Sequence, residues 1–298
     1  MTLTRLAGSW QAADSPASRW PTLTFNARDL FAELRGGRLL PTGCSSIDAE
    51  LLRGGLREGH LIEICGEPAS GKTQLCLTAA AQTLLRGERV AWIDTGASFS
   101  AARLIDVLCA LRPPLQADHA QLEAALDRVV VAPARDVHAV LDVLGGLLAS
   151  GDAIAAAIKP LPPQNPRLGL VVLDALPGIA GPLLGVARQA QGPALLARLA
   201  AALRALAAAR RVPVLAANGW VGSGGGGGGG RPALSEAWRA APHARLRLRL
   251  RLGDAGRCGG VAVPGCRRHE AALLGSSHAP PAAGAGFVIG AAGVAAAR

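Results

Sequence analysis

The sequence predicts an α/β fold in which a mostly parallel sheet is covered by helices on both faces. Three observations predict it. Short apolar runs at 61–65, 89–94, 129–131, 168–174 and 212–216 alternate with segments of helical period. A glycine-rich loop joins the first run to a helix, and the fourth run ends in an acid, Asp174.

Residues 1–38 form no recognisable domain. One short helix fits 26–34, where Leu30, Phe31 and Leu34 share a face, so this stretch is expected to be an arm or linker. The strand at 61–65 leads into the loop 66–71 and a helix at 72–85, which Gly87 stops. A second strand at 89–94 precedes a helix at 100–110. A third strand at 129–131 precedes a helix at 137–148. The strand 168–174 is apolar up to its terminal acid. A helix with spaced arginines follows at 194–211, then a fifth strand at 212–216.

The remaining segments read differently. Residues 222–230 are glycine apart from Ser223, a composition that holds no single conformation. Residues 245–252 alternate Arg and Leu. That period of two predicts a half-buried strand, leucines inward and Arg245, Arg247, Arg249 and Arg251 outward. Its arginine face fits a solvated edge, an acidic partner surface or a phosphate backbone. A last strand is expected at 287–289.

Composition narrows the function classes. The net charge is +10 and the sequence pI is about 10.7, which favours polyanionic partners. Lys72 and Lys159 are the only lysines among 31 basic residues, a skew that coding bias also produces. The chain has no Tyr and only four Phe, so a rich base-stacking platform is not expected. The six cysteines include no CxxC, and the default reading is reduced, intracellular thiols. Cys258, Cys266 and His269 fit no standard zinc spacing. No uninterrupted apolar stretch approaches about 18 residues, so no membrane partner is expected.

The chemistry concentrates in two places. Gly66-Glu67-Pro68-Ala69-Ser70-Gly71-Lys72-Thr73 matches G-x-x-x-x-G-K-[ST] at every position. In such a loop, backbone N–H groups and the helix N-terminus face phosphates, the lysine neutralises the β and γ oxygens, and the Thr hydroxyl ligates Mg²⁺. The motif assigns a nucleoside triphosphate with Mg²⁺ to residues 66–73, with Thr73 on the metal; the buried apolar strand 168–174 sets Asp174 beside that loop, where it either holds the Mg²⁺ shell or simply ends the strand at a helix cap. Asp94 ends the strand 89–94; it suits either polarising a water or capping the next turn.

These residues resemble a known family. Leu40-Pro41-Thr42-Gly43, Ile47-Asp48 and Gly54-Gly55-Leu56-Arg57-Glu58-Gly59 precede the loop as in RecA-type recombinase cores. Ile93-Asp94-Thr95 with Phe99 and Arg103 is similar as well. Asp94-Thr95-Gly96, Ser98-Phe99-Ser100-Ala101, Pro182-Leu183-Leu184-Gly185, Arg231-Pro232-Ala233-Leu234 with Trp238, and Ser276-Ser277 before Phe287-Val288-Ile289 resemble the D-type paralogue of the eukaryotic strand-exchange recombinase. The likeness implies a RecA-type ATP-binding core over 39–292, with an arm at 1–38 and a tail at 293–298.

The resemblance implies an ATP- and Mg²⁺-binding nuclear protein of homologous-recombination repair. It would assist recombinase loading on single-stranded DNA within a complex of sister paralogues. Two departures weaken the case for hydrolysis. Active recombinases carry a glutamate base where this chain has Gly96, and a γ-phosphate-sensing Gln where it has Gly219. The segment 219–230 matches the family's second DNA-binding loop, here mostly glycine. Two alternatives stay open: a self-sufficient DNA-dependent ATPase that exchanges strands, and a non-enzymatic scaffold without DNA contact.

Overall fold

The computed structural model describes residues 37–150, 166–181, 191–222, 230–234, 236–258, 261–276 and 284–297, with side chains at 150, 191, 236–237, 252–267 and 276 excepted. The helix expected at 26–34 and most of the glycine run lie outside them. Strands β1 (Leu39–Leu40) and β2 (Leu56–Arg57) pair as an antiparallel ribbon, and β3 (Leu61–Gly66) enters the main sheet. Helix α1 (Lys72–Leu85), β4 (Arg89–Asp94), α2 (Ala101–Leu111), α3 (His119–Leu126), β5 (Val129–Pro133) and α4 (Val137–Ser150) follow. Then come β6 (Leu168–Asp174), α5 (Leu176–Ala180), α6 (Gln191–Arg210), β7 (Val214–Asn218), the short pair β8 (Trp220–Val221) and β9 (Arg231–Pro232), and α7 (Glu236–Arg239). Strands β10 (Ala244–Cys258), β11 (Val261–Ser276), β12 (Ala285–Gly290) and β13 (Gly293–Ala296) complete the chain.

Nine of these strands form one sheet in the order β13-β12-β11-β10-β3-β7-β6-β4-β5. The block from β10 to β5 is parallel, and β11 to β13 extend it antiparallel. Both faces are covered, because alternate residues of each central strand feed different cores. Ile62, Ile64, Val172 and Leu215 pack with α1 and α2, whose Leu75, Leu84, Leu104 and Leu108 are buried. Leu61, Val171, Leu173 and Val214 pack with α4 and α6 through Val140, Leu144, Leu199 and Leu203. This is why β3 and β6 read as continuous apolar runs rather than alternating ones. Helix α6 is long and apolar enough to cross a membrane by composition alone. Its Leu196, Leu199, Leu203 and Leu206 are buried against the sheet, which explains that composition as a core helix.

Capping accounts for two helix starts. The Ser100 hydroxyl accepts from the Arg103 N–H, and the Asp118 carboxylate accepts from the Gln121 N–H. The thiols of Cys44, Cys65 and Cys76 are free and buried. Burial pushes Cys65 up to about 12, so it stays a protonated packing group.

Two expectations need correction. The Arg/Leu strand is no solvated edge: β10 lies inside the sheet between β3 and β11. Leu246 and Leu248 do point into the core. Arg245, Arg247 and Arg251, however, meet carboxylates of this same chain. Register sets Arg245 opposite Glu63 and Arg249 opposite Glu270. The Arg245 Nε donates to the fully buried Glu63, and Arg247 Nη2 donates to Glu67 at 3.3 Å. Arg251 Nη2 donates to Glu270 at 3.1 Å. The mutual repulsion of the arginines is thus offset within the fold, which the strand's own sequence could not reveal. Second, residues set aside as a tail from 293 include β13, whose Val294 is buried and whose N–H donates to Thr78.

The Glu63 network yields a stability prediction. Glu63 also accepts from Asn218 Nδ2 at 2.5 Å, so Arg245 and Asn218 together satisfy one buried carboxylate. Arg245→Ala leaves that charge without its cation and should cost about 3–5 kcal/mol in denaturant unfolding. The double variant Glu63→Leu/Arg245→Met should recover most of the loss. Equal losses in single and double variants would show that the pair is not the source.

Candidate functional site

The site forms at the carboxyl ends of four adjacent parallel strands. In the order β3, β7, β6, β4 these ends are Gly66, Asn218, Asp174 and Asp94. Ligand crevices in open α/β sheets lie at this end of the strands.

Residues 66–73 leave β3 and turn into α1. Gly66 passes so close to β10 that a Cβ there would collide with the Leu248 carbonyl oxygen and the Ser70 hydroxyl. Gly71, at φ +100°, caps α1 in the left-handed region, and Ala69 takes φ +62°. Left-handed Ala69 and Gly71 on either side of Ser70 suit the backbone turn that directs successive N–H groups toward an anion. Lys72 Nζ donates to the carbonyls of Gly66 at 2.9 Å and Glu67 at 2.8 Å, which holds its ammonium over the loop. Burial lowers the Lys72 pKa, while the charges of Asp174 and Glu67 oppose that shift.

Asp174 is 2% exposed. The Thr73 hydroxyl donates to its Oδ2 at 2.8 Å and the Ser98 hydroxyl at 2.9 Å. Burial pushes its carboxyl above the usual carboxylate range, the two hydroxyls pull it back, and neighbouring Asp94 raises it further. Thr95 fixes the strand end: its hydroxyl donates to the Ala175 carbonyl at 2.6 Å and accepts from the Ala175 N–H at 2.7 Å. Hydroxyl and carboxylate oxygens without sulfur or imidazole suit a hard cation such as Mg²⁺. The donor set present therefore fits the metal that the loop motif implies.

Asp94 has the geometry of the capping alternative. Its Oδ1 accepts from the N–H groups of Gly96 at 3.2 Å and Ser98 at 3.0 Å, and its Oδ2 from Phe99 at 3.1 Å. Gly96 itself is exposed, and nothing lies within 4 Å of where its Cβ would be.

Two residues of this region escaped the sequence reading. Ser98 shares the acids of both strands, and nothing in its local sequence marks that role. Glu63 did leave a signal, as the one charge inside an otherwise apolar strand. Arg103 anchors the site's outer wall, donating to Gln74 Oε1 at 2.9 Å, to the Ala291 carbonyl at 3.2 Å and to the Gly290 carbonyl.

The raised Asp174 carboxyl gives a pH prediction. A carboxyl whose folded pKa exceeds its unfolded value favours the fold below the unfolded pKa and loses that contribution as pH rises through the folded pKa. Asp174→Asn keeps an acceptor for Thr73 and Ser98 and removes the titration. In metal-free buffer its melting temperature should gain on the parent as pH rises from about 4 to 7. A gap that stays constant across that range would contradict the burial argument.

Comparison with known proteins agrees with this geometry. The Rad51 family profile matches residues 38–150. DNA repair protein RAD51 homolog 4 from Bos taurus is 35% identical over 234 residues, covering 78% of this chain and 68% of that protein. The Mus musculus protein of that name is 32% identical over 241 residues, covering 78% and 67%. The DNA repair and recombination protein RadB of Halobacterium salinarum is 32% identical over 139 residues, covering 47% and 49%. The crystal structure of the RadB recombinase superposes with a TM-score of 0.63 at 24% identity, over 87% of this chain and 100% of that one, and so shares the fold. Loop, acids, sheet order and relatives together place this chain in the Rad51 family of RecA-type recombinases.

Proposed function

We propose that this chain is an ATP- and Mg²⁺-binding recombinase paralogue of homologous-recombination DNA repair. In this reading it works in the nucleus within a heteromeric complex of sister paralogues and helps load a recombinase on single-stranded DNA. The observation that carries the reading is the convergence of Lys72, Thr73 and Asp174 on one concavity at the head of β3 and β6. The relatives named for DNA repair support the pathway, and the net charge of +10 supports a polyanionic partner.

Bound there, Mg²⁺–ATP would supply a polyphosphate whose charge the site is built to offset. Lys72 would hold the β and γ oxygens, the N–H groups of 66–73 the remaining phosphate oxygens, and Thr73 with Asp174 the metal shell. The same geometry favours binding over turnover. Asp94 spends its oxygens on backbone donors, and Gly96 offers no side chain to take a proton from water. At Gly219 a Cβ would sit 3.2 Å from Ala233 Cβ and 3.3 Å from Pro177 Cγ, so a side chain there would require its neighbours to shift slightly. These features weigh against the self-sufficient strand-exchange enzyme.

Two outcomes are expected. ATP–Mg²⁺ at about 100 times its Kd should stabilise the chain by ~2.7 kcal/mol, and Lys72→Ala should abolish that shift while remaining folded. An unchanged shift in the folded variant would contradict the assignment of the loop. Phosphate release should be slow in the parent. Gly96→Glu has room for its side chain, yet its gain should fall well short of the roughly 10²–10⁴-fold of a well-placed base. Fast release by the parent would identify another base.

A further inference from the structure

Arg247 occupies an unusual position beside the phosphate-binding loop. It lies on β10 opposite Cys65, the residue before Gly66. Its guanidinium carbon sits 3.7 Å from the centroid of the Trp220 ring, and its Nη2 donates to Glu67 Oε1 at 3.3 Å. The residue is 9% exposed, and its buried Nε has no hydrogen-bond partner. A buried cation is thus held by an indole face and one long bond to a carboxylate of the loop. Such a group responds to any new negative charge nearby, because burial leaves it short of acceptors.

The far side of this contact is equally constrained. Trp220 begins β8 and pairs with Pro232 of β9. A Cβ at Gly230 would collide with the Trp220 indole nitrogen, so the ring lies tight against the chain as it returns to β9. One aromatic ring therefore fixes both strands of the β8–β9 pair. Asn218 and Gly219, which lead into that pair, have no side-chain link of their own to residues 66–73. Asn218 is committed to Glu63, and Gly219 has no side chain.

We infer that Arg247 is a positioning residue that transmits the state of Glu67 in the phosphate-binding loop to Trp220 and the β8–β9 pair. This rests on the reading of 66–73 as an ATP site. Polyphosphate beside Glu67 adds negative charge that repels its carboxylate and competes for the guanidinium. Because the guanidinium and indole are stacked, displacement of one changes the environment of the other. The coupling runs through contacts made by side chains, so it disappears when the planar cation is removed.

Tryptophan emission tests this on the full chain. ATP–Mg²⁺ is titrated into the parent and into Trp220→Phe, and the difference isolates the Trp220 signal. Equilibrium dialysis with labelled ATP measures binding independently. The expected result is a saturable Trp220 signal in the parent that falls to background in Arg247→Gln, although dialysis still shows ATP bound. Arg247→Lys, which keeps the charge without the planar fork, should also lose most of the signal, and it decides the matter if Arg247→Gln does not fold. Bound ATP with no Trp220 signal in the parent, or with the parent's full signal in the Arg247 variants, overturns the inference. Failure of the parent to bind ATP in dialysis overturns the ATP reading itself, and the inference with it.

Discussion

The register between β4 and β6 is the constraint on which the site depends. It sets Asp94 directly opposite Asp174, two carboxylates at neighbouring strand ends. Burial makes the charge of Asp174 costly, and the Asp94 carboxylate opposite it adds to that cost. The chain resolves the conflict asymmetrically. Backbone N–H groups of 96, 98 and 99 absorb the charge of Asp94. Asp174 receives only two hydroxyls and the nearby field of Lys72. One acid thus shapes the turn, and the other keeps a strained charge whose natural complement is a cation.

Much of this was legible in the sequence because it depends on local pattern. The apolar runs ending at Asp94 and Asp174 gave strand ends that match the structure, since a strand buried on both faces admits a charge only where it emerges. The helix after Lys72 follows from Gly71 and the apolar stretch behind it. What was not legible is pairing between distant strands. Arg245 and Arg247 looked like a charged stripe because their acids, Glu63 and Glu67, lie about 180 residues earlier. Strand β13 was missed because Gly and Ala carry little strand signal, although Val294 seats it on Thr78. The division of labour between Asp94 and Asp174 needed the geometry of the Gly96–Phe99 turn, which both readings of Asp94 had left open.

The departures from an active recombinase share one physical character. In the proposed function, Gly96 and Gly219 each leave a polar side chain out of the γ-phosphate's neighbourhood, while Lys72, Thr73 and Asp174 would still hold the phosphates and the metal. Ala233 and Pro177 stand close to the Gly219 position, whereas Gly96 faces open space. Under that proposal such a chain would keep the ligand's contribution to stability and give up rapid turnover.

In the proposed function, the Asp174–Thr73 pair and the loop 66–73 form a metal-dependent nucleotide site. Calorimetric titration of the purified chain with ATP, in Mg²⁺ and again in chelator, tests it most directly. The account predicts saturable one-site binding in Mg²⁺ and clearly weaker binding in chelator. No binding in Mg²⁺, or the same affinity in both, would contradict it.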